Sequence, residues 1–183
     1  MPKIIQESFE IETLKGLLGR VRKVEGDLAE VGVYQGGTAK IIREMIPDKP
    51  LYLFDTFCGL PDTLIPEDIK HKQYVGGCAT DESFVTDLLK DYSNVKIVKG
   101  IFPQTSDIIK DKRFSFCHLD TDIYKSTLDG LEFFFPRMNK NGIILIHDYP
   151  HHPGVMKAAD EFLKGKNVDL VQSGIRQLII TIL

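Results

Sequence analysis

The chain has only three cysteines, Cys58, Cys78 and Cys117, an odd number without CxxC spacing. Neither a disulfide framework nor a zinc cluster is indicated, and a reducing cytoplasm fits. Basic charge is not in excess either. With 23 Lys and Arg against 26 Asp and Glu, the net charge is -3 at pH 7, so nothing electrostatic points to nucleic acid or an anionic membrane as partner. No apolar run approaches the roughly 20 residues of a membrane helix, and the opening Met1-Pro-Lys-Ile-Ile-Gln-Glu lacks the basic-then-apolar order of a signal peptide. Repeats, low-complexity tracts and polar linkers are also missing. The expectation is a single domain, residues 1–183, handling a small molecule in the cytoplasm, with 43% hydrophobic residues to build its core.

What is present is alternation. Short apolar runs at 28–33, 51–55, 95–99, 114–120 and 143–147 read as buried strands. Helical stripes lie beside them: Leu14, Leu17, Leu18 and Val21; Ile41, Ile42, Met45 and Ile46; Phe84, Val85, Leu88 and Leu89. Two more are Leu128, Leu131, Phe135 and Met138, ended by Asn141-Gly142, and Val155, Ala158, Ala159 and Phe162, begun after Pro153. Five strand-helix alternations with right-handed crossovers specify a parallel sheet covered on both faces, an α/β fold. The runs at 168–172 and 177–182, split by Ser173-Gly174, read as a hairpin that adds an antiparallel edge. Ligands of such a sheet bind beyond the carboxyl ends of its strands, where the strand order reverses.

The first strand leads into Glu30-Val-Gly-Val-Tyr-Gln-Gly-Gly37-Thr-Ala. Glycines at 32, 36 and 37 let a turn pass close under a nucleotide-like ligand, though they fit a bare strand-to-helix turn equally well. Glu30 is an acid in an apolar strand that needs a partner, and a bound amino group would supply one. Asp55 ends the second strand about 20 residues later, where a ribose diol is bound in nucleotide folds; the alternative is a turn residue ahead of Thr56. Gly100, Ile101 and Phe102 follow the third strand, suited to an adenine face or simply to packing Phe102 in the core.

The fourth and fifth strands end in Leu119-Asp120-Thr121-Asp122 and Ile146-His147-Asp148-Tyr149. Three carboxylates on adjacent strand ends repel one another unless a cation or shared proton compensates, and oxygen ligands with one imidazole suit Mg²⁺, Mn²⁺ or a similar ion. The bland alternative has Asp122 and Asp148 capping helices and His147 packed neutral in the core. His151 and His152 read as loop residues, with ligands or substrate contacts as the alternatives. Residues 58–80 have little periodicity and leave the second strand at the ligand rim; they are expected to form a lid or part of the acceptor pocket, disorder being the alternative.

These segments, together with Phe54-Asp-Thr-Phe-Cys-Gly-Leu-Pro61, Lys99-Gly-Ile-Phe102, Gly142-Ile-Ile-Leu-Ile-His-Asp-Tyr149 and Gly154-Val-Met-Lys-Ala-Ala-Asp-Glu-Phe162, resemble the class I S-adenosylmethionine-dependent methyltransferases. More narrowly, the chain resembles the TylF, MycF and NovP group of metal-dependent O-methyltransferases, over most of its length. The resemblance implies a three-layer Rossmann-like methyltransferase fold with a seven-stranded, mostly parallel sheet and an antiparallel C-terminal strand. It implies S-adenosylmethionine as cofactor, with Glu30, Gly32, Val33, Tyr34, Gly36, Gly37 and Thr38 on the methionine side, Asp55 and Thr56 at the ribose, Gly100 to Phe102 at adenine, and Asp120 also in contact. Asp120 and Asp148 become ligands of a divalent metal, expected to be Mg²⁺. The group commonly has Asp-Asp-Tyr where this chain has His147-Asp148-Tyr149, so either His147 coordinates as the expected third ligand or the site has one carboxylate fewer. The chain starts shortly before its first strand, so an amino-terminal substrate-covering extension is expected to be missing.

The implied reaction is in-line methyl transfer to a hydroxyl of a sugar or natural product, with Asp120 or Asp122 accepting the proton. A cofactor-binding regulatory module and a nicotinamide-dependent oxidoreductase are the rival readings; the glycine spacing and the hairpin argue against the latter. Exposed aromatics near the long loop leave a homodimer open.

Overall fold

The computed structural model describes residues 6–183, so most of the opening stretch weighed above as a leader lies outside the described residues. Seven strands, β1 (Asp27–Val31), β2 (Leu51–Asp55), β3 (Val95–Lys99), β4 (Phe114–Leu119), β5 (Met138–His147), β6 (Val168–Ser173) and β7 (Gln177–Ile182), form one sheet in the order β3-β2-β1-β4-β5-β7-β6. The helices are α1 (Ser8–Val21), α2 (Gly37–Met45), α3 (Pro66–Lys70), α4 (Glu82–Leu89), α5 (Tyr124–Phe134) and α6 (Pro153–Leu163). Pairing is parallel except for β7, which runs antiparallel to both β5 and β6.

The two-residue period of a strand assigns the side chains to two cores. Leu28, Leu51, Leu53, Phe116 and Leu145 face one layer with α1, α2 and α4, while Ala29, Phe54, Cys117, Ile144 and Ile180 face the other with α5 and α6. β4 is buried along its whole length, as befits a strand covered on both faces. The hairpin expectation holds with one change of place: the antiparallel strand β7 is inserted beside β5, and β6 becomes the edge. β7 is the more apolar of the two, QLIITI against VDLVQS, so burying it removes more apolar surface from water.

Three sequence expectations shift. The helix reading through Met138 fails because Pro136 cannot continue the hydrogen-bond ladder: α5 ends at Phe134, a 3-10 turn spans Phe135–Arg137, and Met138 starts β5. The buried face of α5 is accordingly Thr127, Gly130, Leu131 and Phe134. β1 and β4 stop at Val31 and Leu119, short of the apolar runs that announced them. Between β3 and β4 only a 3-10 turn, Ser106–Ile109, makes the crossover. Cys58, Cys78 and Cys117 are free, and no helix among the described residues is long and apolar enough to cross a membrane.

Candidate active site

Strand order reverses between β1 and β4, and there the chain opens a cavity of about 320 Å³. At the opening the two strand ends nearly touch. Gly32 has φ +85, and a Cβ on it would lie 1.8 Å from the Asp120 carbonyl oxygen. The need for glycine comes from this close approach of two backbones. Gly36, at φ +80, is the left-handed residue that starts α2, packed against Val85 and Leu88.

Asp55 organises the turn above. Its Oδ2 accepts the Val33 and Tyr34 amides, both at 2.8 Å, and its Oδ1 accepts the Phe57 amide at 2.7 Å. A carboxylate has about four acceptor sites, so one remains for a ligand hydroxyl. Glu30 is fully buried; Oε1 accepts from Thr38 Oγ1 at 2.5 Å and lies 2.8 Å from His118 Nδ1, while Oε2 has no partner among the described residues. Burial raises its pKa, with His118 and Thr38 opposing.

Of the residues expected around a cofactor, Gly32, Tyr34, Asp55, Thr56, Gly100, Ile101, Phe102 and Asp120 line the cavity. Glu30, Val33, Gly36, Gly37 and Thr38 stand behind it. Phe102 packs in the core, its ring stacked on Phe134 at 5.4 Å and edge-on to Phe54 at 5.1 Å, and it also lines the cavity.

The ends of β4 and β5 carry the charge. Asp120, His147 and Asp148 offer ligand atoms that lie within 4.8 Å of one another, as do Asp122, Asp148 and His152. His147 Nδ1 stands 3.0 Å from Asp120 Oδ1 and 3.2 Å from Asp148 Oδ2, yet neither ring nitrogen makes a hydrogen bond of sound geometry, nor does buried Asp148 Oδ1. Burial would lower the His147 pKa, but Asp120 and Asp148 overcome it and push the imidazole up to about 12. Conversely, burial would raise Asp120, and His147 holds it well below the usual range. Asp122 is held well above that range, first by burial and then by the charges of Asp120 and Asp148. Left-handed backbone, φ 62 at Asp122 and 63 at Asp148, aims these two residues.

Several contributors have no local signal in the sequence. From α1, Glu10 closes the helix start by accepting the Glu7 amide through Oε2 at 2.7 Å and sets Oε1 3.4 Å from His147 Nε2. Just before it, Gln6 donates to Asp120 Oδ2 at 3.1 Å. Arg176, in the β6–β7 turn, stands 3.6 Å from Asp148. Residues 58–80 form a folded flap: Gly59, Leu60, Pro61, Gly77 and Cys78 line the cavity, tied by Leu60 N to Gly77 O at 2.8 Å and Gly76 N to Leu60 O at 2.9 Å. Partial burial and the nearby carboxylates push the Cys78 thiol up to about 11, which disfavours the thiolate. The flap is pinned at α3, where buried Asp68 accepts the Ile65 amide at 2.9 Å and the Tyr124 amide of α5 at 3.1 Å. Gly154 leaves room for this carboxylate, since a Cβ there would meet Asp68 Oδ1 at 1.7 Å. Glu67 pairs with Lys157 of α6 at 2.9 Å.

A mostly parallel seven-stranded sheet with one reversed strand and a cavity at its switch point is the fold of the Rossmann-like methyltransferases, and solved structures agree. The O-methyltransferase NovP superposes with a TM-score of 0.83, 23% identity and coverage of 94% of this chain and 79% of that one. The chain belongs to the macrocin O-methyltransferase (TylF) family, whose model matches residues 11–177. Among curated relatives, demethyldecarbamoylnovobiocin O-methyltransferase of Streptomyces niveus is 27% identical over 159 residues, 76% of this chain and 58% of that protein. Mycinamicin III 3''-O-methyltransferase of Micromonospora griseorubida is 27% identical over 143 residues, 69% of this chain and 56% of that protein. The chain thus spans about half the length of the curated relatives it matches.

Proposed function

We propose that the protein is an S-adenosylmethionine-dependent O-methyltransferase that methylates a hydroxyl of a small molecule such as a sugar or natural product, assisted by a divalent metal of the Mg²⁺ type. The observation that carries the reading is that one cavity joins the Asp55-held turn to a cluster of acids and imidazole with unanswered buried atoms. Family membership and the natural-product O-methyltransferases among the relatives support it.

In this reading Asp55 holds a ribose hydroxyl with its remaining acceptor site, and Tyr34, Thr56, Gly100, Ile101 and Phe102 enclose the nucleoside. Glu30, Val33, Gly36, Gly37 and Thr38 fix the turn from behind the cavity wall. Asp120, Asp148 and His147 are the metal ligands; their two oxygen donors and one imidazole fit a hard to borderline dication, and Asp148 Oδ1 and both His147 nitrogens lack competing hydrogen bonds. When bound, the cofactor supplies an electrophilic methyl and the metal lowers the pKa of a coordinated hydroxyl. The chain's own work is to align the acceptor and receive its proton at Asp120 or Asp122, both on the cavity wall. Residues of the 58–80 flap exclude water from above. The reading extends to a cytoplasmic setting, which the free cysteines support, with no nucleic acid or membrane as partner; a homodimer remains an open expectation.

One observation favours a metal-free version: a protonated His147 between Asp120, Asp148 and Glu10 balances charge by itself. Isothermal titration with S-adenosylhomocysteine, with and without Mg²⁺, tests both. Micromolar binding supports the cofactor class, and Mg²⁺ heat abolished by Asp120→Asn supports the metal centre. No binding in either condition overturns the methyltransferase reading.

A further inference from the structure

A second group of ligating side chains meets the acidic cluster at His152, whose Nδ1 stands 3.5 Å from Asp148 Oδ2, and extends away from it. His71 ends α3 in the flap, while His151 and His152 stand side by side between β5 and α6. Their ring centroids are 5.0 Å (His71 to His151), 4.5 Å (His71 to His152) and 5.5 Å (His151 to His152) apart. A ligand nitrogen from each lies within 4.8 Å of the others, with no carboxylate in the group. The flap has other anchors in Asp68 and Glu67, so three imidazoles are not needed to close it. His152 Nδ1 lies 3.2 Å from the Asp122 carbonyl oxygen and 3.3 Å from the Gln73 side-chain amide; donating its proton to the carbonyl, as metal-bound imidazoles do, leaves the Nε2 lone pair for a ligand.

We propose that His71, His151 and His152 form a second, imidazole-only site for a transition-metal dication of the Zn²⁺ type, distinct from the acidic centre, which fastens the flap to the β5–α6 loop. Three nitrogen donors favour Zn²⁺, Ni²⁺ or Cu²⁺ over Mg²⁺. With metal–nitrogen bonds of about 2.0–2.1 Å, the donor atoms sit roughly 3.4 Å apart, so the rings close by about 1 Å on binding. His151 is exposed, which gives the ion a path from solvent; its Nε2 accepts from Arg176 at 3.3 Å, a contact that is given up on binding or left in place when Nδ1 is the ligand. Bound metal holds His71 in place, and the exposed Lys70 and Lys72 on either side of it report on that.

The experiment is a Zn²⁺ titration of the intact protein in excess Mg²⁺, paired with tryptic cleavage at Lys70 and Lys72. One Zn²⁺ equivalent that survives Asp120→Asn, weakens at least ~100-fold in the His71→Ala, His151→Ala double variant, and slows cleavage in the parent protein is the expected result. Zn²⁺ binding lost in Asp120→Asn and indifferent to the histidine substitutions overturns the proposal, as does no Zn²⁺ binding. Should the double variant fail to melt cooperatively in chelator, His151→Gln at an exposed position decides: at least ~10-fold weaker Zn²⁺ binding supports the site, and unchanged binding sinks it. None of these readouts depends on methyl transfer.

Discussion

Two stretches of the same sheet edge are built on opposite plans. At the ends of β1 and β2 the acids are answered largely from within the chain: Asp55 holds three backbone amides, and Glu30 Oε1 takes a threonine hydroxyl and stands against His118, leaving Oε2 as the one carboxylate oxygen of this pair without a partner among the described residues. At the ends of β4 and β5, Asp120, Asp122 and Asp148 crowd upon His147 and His152, and buried donor and acceptor atoms go unmatched. The first stretch shapes a cavity wall; the second concentrates charge beside it. A carboxylate saturated by its own backbone is architecture first, whereas one left without partners in a buried place points to something the chain has to bind.

The largest effect should come from closing the seam between the two stretches. Gly32→Ala puts a methyl where the Asp120 carbonyl already is and strains a positive φ. A loss of about 4 kcal/mol or more is expected, seen as a Tm drop of roughly 10 °C or more together with loss of S-adenosylhomocysteine binding. Gly16→Ala is the matched control: it lies in α1 with nothing within 4 Å of the new Cβ and should stabilise by about 0.5–1 kcal/mol. Equal Tm values for the two variants would contradict the steric account.

Next in size, Asp148→Ala should separate the stretches. Activity with a hydroxylated acceptor should fall by about 100-fold or more while cofactor affinity stays within about threefold, because Asp148 belongs to the charged stretch alone. Joint loss of cofactor binding and cooperative melting would sink its assignment as a ligand. Asp68→Ala should act more mildly. It frees the Tyr124 and Ile65 amides at a cost of about 1–3 kcal/mol, raises acceptor KM and speeds proteolysis within 58–80, leaving cofactor affinity unchanged. An unaltered acceptor KM would mean that the flap does not touch the acceptor.

The contrast also explains what could be read in advance. The β1, β2, β4 and β5 ends are legible because each is a short continuous apolar run that closes on glycine, Asp or His, where the fold binds ligands. Asp120, His147 and Asp148 came together as expected for that reason. Gln6 reaches Asp120 across 114 residues, Glu10 of α1 reaches His147 and Arg176 of the β6–β7 turn reaches Asp148, and no spacing encodes such contacts. Asp68 was hidden in an aperiodic stretch whose order depends on helix ends elsewhere. Gly32 was noticed, but the backbone it must avoid belongs to another strand, so the physical need was visible only in three dimensions.

The smallest effect tests whether Glu30 really belongs to the architectural side. Burial raises its pKa, so between the unfolded value and the folded one the folded chain holds the extra proton. Stability linked to this group is therefore present at low pH and lost as pH rises above the ordinary carboxyl range, leaving a penalty at pH 8 and none near pH 4. Glu30→Gln removes the titration but keeps an oxygen for Thr38 Oγ1 and His118 Nδ1. The variant should match the parent near pH 4 and melt higher than the parent at pH 8. Glu30 stands behind the cavity wall, so S-adenosylhomocysteine affinity should change by less than about threefold in the same protein. A gain in Tm with a large loss of affinity would move Glu30 to the ligand-binding side and make its free Oε2 the partner of the cofactor amino group; a lower Tm at pH 8 would show that the buried carboxylate is ionised and held by His118.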